Sequence, residues 1–160
     1  MRQVHPGLWV GDGNAYRGVE NEPGWAVIHA AKEPYHRAML GYKGRATDKT
    51  HPEYLYAIRG NRMALNLIDT DDPKYISPFI IDAALRFIDG HLGPQRVLVH
   101  CNQGHSRAPS LAMAWLAPTL DEAFDRSVVA FTALYPEYFP KPGFTGYLRS
   151  NWRKLHRRKS

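Results

Sequence analysis

The run Arg96-Val97-Leu98-Val99-His100 has the apolar, β-branched character of a short strand, and a helix is expected from about Arg107 through Trp115. Only Cys101 to Ser106 lie between them, with Gly104 to allow a tight bend. A strand that passes through so short a loop into a helix N-terminus constrains the chain to an α/β arrangement. Such a loop turns successive backbone N–H groups inward and makes a concave site for a tetrahedral oxyanion. The helix dipole adds positive potential at the same point.

The other segments fit that arrangement. Leu8-Trp9-Val10 reads as a strand entering a turn at Gly11-Asp12-Gly13-Asn14, and Trp25 to Ala30 as a buried strand. Gly41 to Pro52 reads as a polar, basic surface loop. Tyr54 to Arg59 and Met63 to Ile68 flank Gly60-Asn61 in the pattern of a two-residue hairpin, with Met63 to Ile68 as a central strand. Ser77 as N-cap and Pro78 at the first helical position open a helix. Its apolar face is Phe79, Ile80, Ala83, Ala84, Phe87 and Ile88, with Gly90 or Gly93 to stop it. Thr119 and Glu122 form a capping-box pattern for a helix from Leu120 to about Leu134, and a last helix is expected from Gly146 towards the basic end. The expectation is one α/β domain over residues 1–160. It is a three-layer-like sandwich with a central, mostly parallel sheet of about five strands flanked by helices.

The loop also carries chemistry. Its N–H groups stabilise a thiolate at the loop mouth, where Cys101 stands, and Arg107 can bind two phosphate oxygens with its planar fork. An ionised nucleophile, an oxygen cradle and a fixed cation are the parts that phosphoryl transfer to sulfur requires. A lone cysteine is more often a small buried hydrophobe. The preceding strand, Gly104 and the following helix give the pattern its weight.

His100-Cys101-Asn102-Gln103-Gly104-His105-Ser106-Arg107 resembles the His-Cys-x5-Arg signature of the cysteine-based protein tyrosine phosphatase superfamily, in its dual-specificity branch. Val4-His5-Pro6-Gly7-Leu8-Trp9-Val10-Gly11-Asp12 is similar to the opening strand of those domains. Tyr135-Pro136 with Pro140-Lys141-Pro142-Gly143-Phe144 resembles the turn before their last helix. The resemblance implies a mixed sheet with helices mostly on one side, and hydrolysis of phosphate monoesters through a phosphocysteine on Cys101. It implies a phosphate loop made of Asn102, Gln103, Gly104, His105, Ser106 and Arg107, supported by His100, with no cofactor. Ser106 is expected to offer its hydroxyl to phosphate or thiolate, and His105 to shape the mouth. The leaving oxygen needs a proton. The family takes it from an upstream aspartate, a role that falls on Asp69 at the end of a strand, with Asp71 and Asp72 as rivals. One departure stands out. Most members carry Ser or Thr after the arginine to help the thiolate leave, whereas this chain has Ala108, as the slow regenerating-liver phosphatases do, so slow hydrolysis of the intermediate is expected. Ser110 is not expected to substitute.

The formal charge of +6 favours anionic partners: a phosphorylated protein substrate, and a phosphate or sulfate ion in the loop. Nucleic acid is open but less favoured. Much of the excess lies in residues 153–160, which read as a frayed, solvated helix end. The same chemistry on RNA 5′-phosphate or phosphoinositide, a slow-turnover phosphate-binding module and a rhodanese-like sulfur transferase are the alternatives. The eight histidines are scattered, with no metal-ligand spacing around His29, His36 or His51. No apolar stretch reaches the length of a membrane span, and no signal peptide or disulfide framework is visible, so a cytoplasmic location is expected.

Overall fold

The computed structural model describes residues 1–159. Its centre is a six-stranded mixed sheet in the order β1-β2-β6-β3-β5-β4. The strands are β1 Arg2–His5, β2 Leu8–Gly11, β3 Trp25–His29, β4 Tyr56–Arg59, β5 Arg62–Leu65 and β6 Arg96–His100. The four inner strands run parallel, and β1 and β4 close the two edges antiparallel. The sixth strand is β1, which the sequence analysis did not anticipate. Only Val4 in it is buried, so a four-residue polar edge leaves no alternation to detect. Gly60, at φ +62°, makes the expected hairpin turn between β4 and β5. β5 is inner but not central; β6 and β3 share the centre.

Strand alternation divides the core. Val97 and Val99 of β6, with Ala26 and Ile28 of β3, face the main core. Leu98, Trp25 and Val27 face a smaller cluster under helix α1, Gly13–Val19. Helices α3 Pro78–His91, α4 Arg107–Leu116, α5 Phe124–Leu134 and α6 Pro142–His156 follow in order, and α3, α4 and α6 pack together over the main core. A short α2, Arg37–Leu40, follows a π-type turn at Lys32–His36. The helices therefore lie mostly on one side, as expected.

Several boundaries differ from expectation for identifiable reasons. The supposed turn at Gly11 to Asn14 is the start of α1, whose N-cap Asp12 accepts from the Ala15 N–H at 2.9 Å. Glycines at 13 and 18 hide that helix from propensity. The expected capping box at Thr119 does not form. Thr119 Oγ1 donates back to Leu116 O, and Asp121 O is held by Ser127 Oγ and Trp152 Nε1, so α5 starts only at Phe124. Pro142 opens α6 four residues before Gly146. Ser77 precedes α3 but its side chain makes no cap, and α3 runs through Gly90 to His91. Phe79 is off the buried face and beside a surface hollow with His51 and Tyr54.

The basic end is docked, not frayed. Trp152 and Leu155 are buried, His156 Nδ1 donates to Ala117 O, and Arg158 pairs with Asp89. Burying two such apolar side chains contributes roughly 1.5–3 kcal/mol each, against about 1 kcal/mol for a partly exposed ion pair. Apolar packing therefore fixes the helix end. The stretch from Gly41 to Pro52 forms no helix or strand, as expected, and buried His36 ties it down through Tyr42 Oη and Glu53 O.

Candidate active site

The loop from Cys101 to Ser106 leaves β6 at the middle of the sheet and enters α4 at Arg107. Its carbonyls are tied to the surrounding scaffold. Asn102 O accepts from Gly13 N, Gly104 O from Tyr135 Oη at 2.7 Å, His105 O from Phe139 N and Ser106 O from Ser110 N. A trans peptide points its N–H opposite to its C=O. Carbonyls anchored outward therefore aim the intervening N–H groups inward, and none from Asn102 to Ser106 has a partner among the described residues. Gly104 allows the bend: its φ is +76°, and a Cβ there would sit 3.1 Å from Tyr135 Oη and 3.2 Å from Gly11. Burial pushes the Tyr135 hydroxyl well above the usual tyrosine range, which keeps it a donor.

Cys101, Arg107 and Asp69 reach one open cleft of about 640 Å³. Cys101 is 3% exposed at its floor. Arg107 is braced by a bond from Nη1 to Leu67 O at 3.1 Å. Asp69 Oδ1 accepts from Ser106 Oγ at 2.8 Å, and Ser106 Oγ in turn accepts from Lys141 N–H at 3.0 Å. The Ser106 hydroxyl is thus spent on the carboxylate rather than offered to phosphate. Asn102, Gln103, His105 and Ser106 line the cleft; Gly104 shapes it from behind. The His105 ring is turned onto Glu137 O. Of the rival aspartates, Asp72 caps the 3-10 turn Pro73–Tyr75 and Asp71 is exposed; neither lines the cleft. Among the described residues no group of three or more potential ligands is placed to hold a metal ion.

No family model matches the sequence, and no curated protein matches it; the likeness to known proteins lies in the fold. DUSP15 superposes with a TM-score of 0.66 at 18% identity, covering 98% of this chain and 92% of that one. The human tyrosine phosphatase-like serine/threonine/tyrosine-interacting protein gives 0.62 at 21% identity, over 94% and 93% of the two chains. PTPMT1 in complex with PI(5)P gives 0.62 at 15%, over 96% and 95%. The fold is that of the dual-specificity phosphatases. Within this dual-specificity phosphatase fold, Ala108 is fully buried on the first turn of α4, and Ser110 Oγ is within 3.3 Å of Tyr138 Oη. The Ser110 hydroxyl is thus engaged with Tyr138.

Sequence reasoning missed two groups of residues. Phe139, Pro140, Lys141 and Pro142 form one wall of the cleft, with Phe139 83% exposed. Their Pro-rich pattern was visible, but nothing local in it says which cleft it borders. His29, taken as a scattered histidine, stands opposite His100 in the β3–β6 register, with Nδ1 of His29 and Nε2 of His100 2.6 Å apart. Burial is the main cause that pushes His29 down to about 2 and His100 down to about 4. Burial also lowers His36.

These rings set a pH dependence of stability. An unfolded histidine titrates near 6.5, so above that pH neither state is charged and stability is complete. Below it the unfolded chain takes up protons that the buried rings refuse. Stability then falls by up to roughly 1.4 kcal/mol per pH unit per ring, until the folded values are reached. The urea midpoint is therefore expected to drop clearly between pH 7 and pH 5. An unchanged midpoint over that window would mean that these rings are not held neutral.

Proposed function

We propose that the chain is a phosphatase of phosphate monoesters that works through a phosphocysteine on Cys101, with protein phosphotyrosine as its substrate class. One observation carries this reading: Cys101 and Arg107, at the two ends of one loop, and Asp69 from a separate segment line the same cleft. The Cys101 thiolate attacks phosphorus in line and the ester P–O bond breaks. Arg107 and the loop N–H groups hold the equatorial oxygens, and Asp69 gives its proton to the departing oxygen. Asp69 then takes a proton from water as water attacks the phosphocysteine, and Cys101 leaves as thiolate. Phosphate is the product. The exposed Phe139 ring offers an aryl group a packing surface, and Lys141 beside it suits an acidic flanking residue; both support a phosphotyrosine protein as substrate.

Rapid-quench kinetics with an aryl phosphate test the reading. A burst of about one phenol per chain is expected, with phosphate trapped on Cys101 by acid, followed by slower turnover. Ala108→Ser is expected to raise the steady rate about tenfold, since a hydrogen bond to a charged leaving group contributes on this scale. A linear time course unchanged by Ala108→Ser would remove the slow second step. Rates on phosphotyrosine and phosphoserine peptides, an inositol lipid phosphate and RNA 5′-phosphate then rank the substrates. A faster rate on lipid or RNA would replace phosphotyrosine in this proposal.

A further inference from the structure

A chain of side chains runs from β5 through β3 to the nucleophile loop, and its two ends fix its direction independently. At one end, Arg62 of β5 places Nε 3.2 Å from His29 Nε2. A guanidinium N–H is always a donor, so His29 Nε2 must be the bare, accepting nitrogen. At the other end, His100 Nδ1 lies 3.3 Å from the Cys101 carbonyl, which only accepts, so His100 Nδ1 must carry the proton. The two requirements meet at the 2.6 Å contact between the rings and agree there. His29 Nδ1–H donates to the bare His100 Nε2.

We propose that Arg62 and His29 are positioning residues that set the tautomer of His100 and thereby hold the Cys101–Asn102 peptide with its N–H in the phosphate cradle. This inference rests on the phosphocysteine reading and extends it to residues 39 and 72 positions from Cys101. The mechanics follow from peptide planarity. Drawing the Cys101 carbonyl down onto His100 directs the Asn102 N–H the opposite way, towards the cleft that Asn102 lines. A His100 protonated instead on Nε2 would set a lone pair against that carbonyl and release the plane.

The surroundings keep the chain dry and neutral. The Tyr16 ring stacks on His100 at 5.0 Å, and the Tyr35 ring stacks on His29 at 4.7 Å. Both histidines are almost wholly buried, while Arg62 is only partly so and lies with its guanidinium over Tyr16. The charged groups facing the pair are Arg62 from β5, Arg107 from α4 and Asp12 at the start of α1. Burial is the main cause that disfavours an imidazolium at either ring; the cations act in the same direction, and Asp12 opposes them at His100.

Two Arg62 variants separate this role from a general effect of charge or packing. Both remove the cation and its contact with Tyr16. Arg62→Gln keeps an N–H on the same Cδ position as Arg Nε, and Arg62→Met does not. The relay predicts kcat lowered about threefold to tenfold in Arg62→Met, and within about twofold of wild type in Arg62→Gln. Long-range 15N–1H spectra should show both His29 and His100 as neutral Nδ1–H tautomers in wild type and Arg62→Gln, with Arg62→Met shifted towards a mixture. Equal losses in the two variants, or an Nε2–H tautomer at either ring in wild type, would overturn it. A wild type with no turnover but with these tautomers, perturbed in Arg62→Met, would support the relay and overturn the phosphatase reading instead.

Discussion

Cys101→Ser is expected to release no phosphate above background from any ester, while the chain stays folded and still binds phosphate in its loop. A serine hydroxyl is not ionised near neutral pH, and in the attack step Asp69 carries the proton meant for the leaving oxygen and so is no base, while the buried histidines are engaged with each other beneath the loop. Loss of a nucleophile in a unit that acts together costs about 10⁴-fold or more. Folding should survive, since the exchange is nearly isosteric at a site where the backbone is held by Gly11, Gly13 and Tyr135. The checks are phosphate release, circular dichroism and a phosphate titration by 31P NMR. Turnover retained in a folded Cys101→Ser chain would end the phosphocysteine route.

Asp69→Asn should divide substrates by their leaving groups. A proton donor matters most when the departing oxygen is a strong base, so hydrolysis of phenyl or tyrosyl phosphate is expected to fall by about 10²–10⁴-fold. An ester of an acidic nitrophenol leaves unaided and should be almost unaffected. Asparagine retains an oxygen to accept from Ser106 Oγ, which keeps the local framework in place. Asp71→Asn serves as the control, because that side chain is exposed and lies outside the cleft. A uniform loss across leaving groups would give Asp69 a structural role. A selective loss in Asp71→Asn would move the acid there.

What the sequence disclosed is what local physics writes locally. The β-branched run ending at His100, Gly104 and the helix from Arg107 are adjacent in the chain, so the cradle was legible before any fold was known. Asp69 was legible as the polar end of an apolar strand. Ile68, assigned to that strand, is instead exposed beyond the end of β5. The hidden parts depend on register and docking. His29 meets His100 only because β3 and β6 pair directly at those residues. Phe139 borders the cleft only because its N–H reaches His105 O. The capping box at Thr119 failed for a related reason: the Trp152 indole from α6, with the nearby Ser127 hydroxyl, had already claimed the Asp121 carbonyl. Local propensity cannot register a competitor that arrives from another helix.

The start of α6 also holds the segment bearing Asp69. Gly143 N–H binds Thr70 O at 3.1 Å, and a methyl group at 143 would collide with that same carbonyl. Together with the Ser106 bond to Asp69 and the Arg107 bond to Leu67 O, this leaves Asp69, the proposed proton donor, held from three sides before any substrate arrives. Among the described residues these bonds place Asp69 without any segment having to close. Under the proposed function, selectivity then falls to fit at the rim, where Phe139 and Lys141 stand. The same rigidity means that a small oxidant meets the cleft in the shape a substrate meets. With no second cysteine in the chain to trap a sulfenic acid, an empty site has no internal route back from oxidation beyond the backbone itself.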